Sequence, residues 1–442
     1  MLDKIQNIFR VPELKRRILF TLALFVVYRL GEHIPTPGVN ARALQGAFAS
    51  QRGTLFGLYD LFVGGSFSRA TIFALGIMPY ISSSIILQLL GAVVPYFEKL
   101  RKEGEEGQKK ITQYTRLGTV AIALLQSYAY SMFLMNLGHS QSISVVPHPG
   151  MSFALSTMIT QTTGTIFVMW LGEKITEFGI GNGISLIIFI NIIGRLPNDI
   201  IATAESFRGG SVSLLGLMGG IVAIVLIVAG VVQLTQATRK IPVQYAKRIV
   251  GRRMYGGANT HIPLRVNTAG VIPIIFASSV MILPATVAGF VTGPNREGSP
   301  LAGILNLLQP HTWLYNTIYV VIIIFFTYFY TAVVLNPNDL AENMRKYGGF
   351  VPGIRPGRKT AEYIDRVLTR ITLPGAIALG LIAILPDLVL RGLNMPFDFG
   401  GTSVLIMVGV ALDTLQQVES HLLMRHYEGL VGRGKLRGRL RT

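Results

Sequence analysis

Seven cations stand between residues 239 and 265, namely Arg239, Lys240, Lys247, Arg248, Arg252, Arg253 and Arg265, and no Asp or Glu opposes them. Guanidinium groups hold phosphate or carboxylate oxygens in a bidentate fork, so the chemistry on offer is capture of a large anion. The stretch VQYAKRIVGRRMYGGANTHIPLRVN (243–267) also carries Tyr245, Tyr255, Gly256, Gly257 and Pro263, a turn-rich setting unlike a plain polybasic clamp. A second segment, GGFVPGIRPGRKT (348–360), brackets Arg355 with Pro352, Gly353, Pro356 and Gly357 and adds Arg358. Two such loops on one face suggest a docking platform. The blander and commoner origin of a basic loop is topology, each Lys or Arg near an anionic leaflet gaining about 1 kcal/mol.

Catalytic chemistry is not in view. The sequence has no H-E-x-x-H, no G-x-S-x-G and no metal-spaced His cluster, and it contains no Cys. The tail GLVGRGKL (429–436) matches the glycines and lysine of a P-loop, but Leu436 replaces the Ser/Thr that must bind Mg²⁺. Neither an enzyme nor a cofactor is expected. Ionisable residues inside the apolar runs are sparse: Arg29, Glu32, Asp413 and Glu419. Pumps usually need buried carboxylate or His relays, so an energy-coupled transporter is disfavoured. A small-solute secondary transporter with broken helices stays open as the alternative.

Apolar chemistry is more suggestive. In GIMPYISSSIILQLL, Ile77 and Ile81 lie four apart on one helical face, and Ile184 and Ile188 repeat the spacing in GIGNGISLIIFINII. Such pairs are more often packing than a pore lining. Upstream, GTLFGLYDLFVGGSFSRATIFALG (53–76) holds an apolar run too short to span, cut by Gly64, Gly65, Ser66 and Ser68. It reads equally as a re-entrant half-helix lining a cavity or as an amphipathic helix on the outer surface.

These residues must be positioned by a membrane protein. Half of the 442 residues are apolar and 14% are charged; mean hydropathy is +0.50. The apolar residues gather in runs of about 20, the length of a helix crossing a hydrocarbon layer. Backbone polar groups find no water there, and the runs lack strand alternation, so the predicted class is an all-α integral membrane protein. Ten spans are expected, at 18–33, 72–97, 117–137, 152–171, 180–197, 212–234, 269–292, 313–335, 371–390 and 402–424. Leu2, Ile5, Ile8 and Phe9 make a short amphipathic stretch ahead of them that ends at Pro12 and lies along the interface. No small-x-small cleavage site follows the first span, which reads as a retained anchor. The N-terminus, 98–116, 172–179, 236–268, 336–370 and 425–442 together hold 32 of the 40 Lys and Arg. The positive-inside rule puts these segments and both termini in the cytoplasm.

The motifs ALGIMPYISSSIILQLL, EFGIGNGISLIIF, QYAKRIVGRRMYGG, IPLRVNTAGVIPIIFASS, NPNDLAENMRKYGGFVPGIRPG and FGGTSVLI together resemble those of the SecY family of protein-conducting channels, along essentially the whole chain. The resemblance implies ten helices in two pseudo-symmetric five-helix halves around a central pore. The halves fall on 1–200 and on 201–424, the latter with loops 236–268 and 336–370, and the tail on 425–442. It implies a pore ring of Ile77, Ile81, Ile184, Ile188, Ile275 and Ile406, all isoleucine in this sequence. It implies a plug at 54–69, with Leu55, Leu58, Tyr59, Leu61, Phe62, Gly64 and Gly65, and a lateral gate with Ser82 and Leu283 on facing sides. Lys247, Arg248, Arg252, Arg253, Arg355 and Arg358 match the positions that receive a ribosome or the SecA motor. Further implied partners are SecE, SecG, preprotein substrates and anionic lipids, in the bacterial plasma membrane. The tail GRGKLRGRLRT is more basic than the family pattern leads one to expect.

Overall fold

The computed structural model describes residues 11–49, 55–138, 145–210, 212–245, 248–250, 253–255, 259–291, 312–392 and 401–433. The amphipathic stretch at 2–9 and the basic tail beyond 433 lie outside the described residues. The chain divides into two compact units. The first comprises Met1–Arg195, Thr286–Arg296 and Val410–Thr442, the second Leu196–Ala285 and Glu297–Gly409.

In the first unit, α1 (Pro12–Gly31) opens with Pro in its first turn, where the missing N–H costs nothing. A short α2 (Ala41–Ala49) and α3 (Leu55–Phe62) follow. The long helices are α4 (Met78–Val93), α6 (Glu105–Gly138), α7 (Met151–Phe178) and the start of α8 (Gly183–Arg208). Helix α6 packs on both α4 and α7. Between α4 and α6, α5 (Pro95–Lys102) turns away from α4 by 97°. Pro95 enforces the bend, since the residue before a proline is pushed out of the helical region and Val94 is extended.

The second unit begins with α9 (Leu214–Gln236), whose Ser213 hydroxyl oxygen accepts the Gly216 N–H at 3.0 Å and caps the free donors. Helix α9 is apolar on every side and exposes Leu215, Val222, Val225 and Leu226, a surface that only lipid solvates well. Strands β1 (Thr238–Tyr245), β2 (Arg248–Val250), β3 (Arg253–Tyr255) and β4 (Asn259–Arg265) come next. The remaining elements are α10 (Ile272–Val291), α11 (Trp313–Val334), α12 (Pro337–Lys346), β5 (Gly349–Phe350), α13 (Arg358–Gly392) and α14 (Gly401–Arg433).

Each of the ten expected spans falls on a helix. Among the described residues six helices are long and apolar enough to cross a membrane, or seven with the bent α4–α5 pair counted as one. This is a multi-pass membrane protein. Two details differ from the sequence reading. The second span does not start at 72: residues 72–77 are turns and the helix begins at Met78. The polar backbone there is satisfied from outside, the Ile72 N–H donating to the Ile34 carbonyl at 2.9 Å. The second is that the two basic segments, turn-rich loops by their sequence, fold partly into strands.

Candidate docking platform and gate

The two basic segments meet in a small sheet in the second unit. Its strand order is β4-β1-β5, with β1 antiparallel to both neighbours. In β1, Ile241 and Val243 point inward while Lys240 and Pro242 are exposed, the period-2 alternation of a strand with one buried face. Beneath the sheet Ile241, Val243 and Leu264 join Met344, Val351, Ile364 and Leu368 in a core of their own. Burying an aliphatic side chain there is worth about 1.5–3 kcal/mol, so the platform is a packed element rather than a tether. Lys240 and Arg265 lie on its outer face, and Arg239, also exposed, stands at the end of the strand on the face of Ile241 and Val243.

Strands β2 and β3 form a separate hairpin, pairing Arg248 with Tyr255 and Val250 with Arg253. Arg248 and Arg253 are placed by backbone alone, and Lys247 and Arg252 lie outside the described residues. Arg355 is exposed on the turn entering α13. Gly353 at φ +80° and Gly357 at φ +101° supply the left-handed backbone that this turn needs on either side. The buried Thr360 hydroxyl donates to the Arg355 carbonyl at 2.9 Å and fixes the turn from below. Arg358 begins α13 and is committed to Glu362 at 3.4 Å, with Lys359 at 3.0 Å from the same carboxylate. Lys359 holds the Glu362 carboxyl below its usual range.

The apolar candidates are distributed over both units. In the first, Ile77 caps α4 and its carbonyl accepts the Ile81 N–H at 3.1 Å, which keeps the i, i+4 relation although Ile77 precedes the helix. Both are buried; Ile184 is half-buried and Ile188 fully buried in the first turns of α8. In the second, Ile275 on α10 and Ile406 on α14 are buried. Ser82 is buried beside Ile81; Leu283 is placed on α10 by backbone alone. Pro79 sits in the first turn of α4, where it neither removes a ladder bond nor kinks the helix.

The segment at 54–69 does not rest on an outer surface. Tyr59, Leu61, Phe62, Val63 and Phe67 are buried, while Leu55 and Leu58 are placed by backbone only and residue 54 lies outside the described residues. Gly64 (φ +69°) and Gly65 (φ +84°) reverse the chain directly after α3. A Cβ on Gly64 would stand 3.0 Å from Glu32 Oε1, so Gly is required by both backbone and space. The sequence reading named Ser66 and Ser68 at this turn but passed over Asp60 and its partner. Asp60 lies in α3 with its Oδ2 3.5 Å from Arg195 on α8, and Oδ1 accepts the Ser68 N–H at 2.9 Å. Burial pushes the Asp60 carboxyl up, opposed by Arg195 and Ser68. A charge inside a short apolar run was the available signal.

Comparison with known proteins bears on the whole arrangement. The SecY family model matches residues 71–415. The SecY protein translocase subunit of Aquifex aeolicus is 44% identical over 98% of this chain and 100% of its own length. The chain belongs to the SecY family. The corresponding subunit of Thermus thermophilus is 45% identical over the full length of both chains. Among solved structures, a protein-conducting channel superposes with a TM-score of 0.64 at 16% identity, over 92% of each chain. A SecY structure concerned with how the plug domain stabilises the closed state gives 0.62 at 16%, and Sec61 in the canine ribosome-channel complex of the endoplasmic reticulum gives 0.60 at 16%, each over 92% of both chains. These likenesses give the SecY fold, a membrane architecture built on ten transmembrane helices. The small-solute transporter finds no support among them.

Proposed function

We infer that the chain is a protein-conducting channel, not an enzyme. It passes secretory polypeptides across a membrane and releases transmembrane segments sideways into lipid. The near full-length match to translocase subunits carries this reading. Its chemistry is partitioning. A translocating chain has arbitrary side chains, so specific recognition would stall it, whereas β-branched aliphatics touch any side chain weakly and seal by dewetting. Ile77, Ile81, Ile184, Ile188, Ile275 and Ile406 form that constriction. Residues 54–69 are the plug, and Ser82 and Leu283 belong to the lateral gate. A hydrophobic segment at the gate gains about 0.8 kcal/mol per CH₂ on entering lipid.

The platform faces the cytoplasm, with both termini, at the bacterial plasma membrane. Lys247, Arg248, Arg252, Arg253, Arg355 and Arg358 receive a ribosome or the SecA motor. The packed core beneath the sheet supports this, as does the ribosome-bound state of the canine relative. SecE and SecG complete the assembly, and the surplus of positive charge on this face engages anionic lipids. The test is a photoreactive residue at Ile81, Ile188, Ile275 or Ile406 in channels holding a stalled preprotein. All four positions are expected to crosslink to the preprotein, and the lipid-exposed Val222 not at all. Equal yields from Val222 and the isoleucines would sink the constriction.

A further inference from the structure

The α3 segment is held in the first unit by polar bonds that neither docking nor the isoleucine constriction uses. Asp60 and Arg195 form the ion pair at 3.5 Å, with the Asp60 side chain almost wholly buried. One turn earlier on α8, Asn191 Nδ2 donates to the Phe62 carbonyl at 3.0 Å and to the Tyr28 hydroxyl at 2.9 Å. Arg29 of α1 donates to the fully buried Glu32 at 2.8 Å and also to the Ile190 carbonyl, fixing α8 beside α1. On the other flank the Tyr130 hydroxyl of α6 donates to the Phe67 carbonyl at 2.7 Å. Arg69 closes the loop on itself, donating to the Gly64 and Gly65 carbonyls, both at 2.9 Å.

The bonds from Asn191 and Tyr130 take carbonyls of the plug backbone and survive a change of plug side chain, while those of Arg69 stay within the plug. The Asp60–Arg195 pair is different, because it joins a plug side chain to a helix that stays behind. A buried pair adds little net stability over an apolar contact but specifies one position, and removing one partner strands the other charge out of water. The apolar faces of α3 would tolerate sliding; the ion pair does not.

We propose that Asp60 and Arg195 are positioning residues that latch the plug in its seat and set the threshold for opening. The proposal rests on the reading of 54–69 as a plug. Opening must then separate the pair, and in the displaced state both groups regain water.

The test uses the reconstituted channel complex, scored for resting ion flux and for export of a preprotein with a defective signal sequence. Asp60→Asn keeps an acceptor for the Ser68 N–H and removes only the charge; Arg195→Gln removes the other partner. Each is expected to raise resting flux by roughly tenfold or more, the scale on which losing one partner of a buried pair shifts a two-state equilibrium. Both should improve defective-signal export. Arg195→Lys should recover much of the seal lost in Arg195→Gln. The double variant should leak no more than the leakier single, because the pair acts as a unit. Deleting residues 54–69 tests the plug separately. Raised flux on deletion with parental flux in both single variants overturns the latch and leaves the plug standing. Singles whose effects multiply in the double variant also overturn it. Unchanged flux on deletion overturns plug and latch together.

Discussion

Tyr245 pairs with Gly349 across an antiparallel ladder, so two basic segments far apart in the chain share one sheet. A Cβ on Gly349 would stand 3.0 Å from Tyr245 Cε1 and 3.3 Å from Val243 Cγ1. Gly349→Val therefore forces bulk between the strand and its ring, at about 1–3 kcal/mol of local overpacking. The expected outcome is faster protease cleavage within 239–265 with membrane insertion unchanged. Parental cleavage kinetics would show that the two segments do not depend on each other.

The turn at Arg355 is fixed through its carbonyl, which Thr360 bonds, while the side chain is exposed. Arg355→Glu should leave the fold intact and stall motor-driven secretion. Substituting Arg252 and Arg253 with Glu should instead abolish salt-sensitive ribosome binding. Insertion should survive both changes, since the remaining basic segments still set topology. The checks are a secretion assay and ribosome co-sedimentation over a salt series. Normal secretion and normal binding together would reduce both loops to topological signals.

Ile275 and Ile406 are buried. An Asn at either position brings an amide into an apolar site, at about 1–3 kcal/mol if it stays unpaired and dry. In a constriction that penalty vanishes when the channel opens and hydrates, so Ile406→Asn and Ile275→Asn should favour the open state. Improved export of preproteins with defective signal sequences is the expected reading. Wild-type export levels would make both isoleucines ordinary packing.

The spans were legible because run length and uniform apolarity report the thickness of the solvent they cross. The break at Gly64-Gly65 was legible too, since two adjacent glycines after a short apolar run have few other uses. The platform sheet was not. Only Ile241 and Val243 mark the inner face of β1, and β5 is two residues long, so the information lies in long-range pairing. The turns at 72–77 were misread as helix for a related reason. Their composition is apolar, and the helix is kept from starting earlier by Gly76, at φ +53°, and by a bond from Ile72 to Ile34 on a distant segment. Asp60 and Arg195 were each visible as charges in apolar surroundings, but nothing in the sequence joins one to the other.

The central claim is that this chain conducts polypeptides, and translocation itself measures it. The purified chain is reconstituted in liposomes with small partner subunits and a motor ATPase, and a secretory preprotein is added with ATP. Protease protection of the full-length preprotein should appear, depend on ATP, and fall sharply with Arg355→Glu. No protected preprotein from a folded, correctly inserted complex, with solute uptake in its place, would contradict the account.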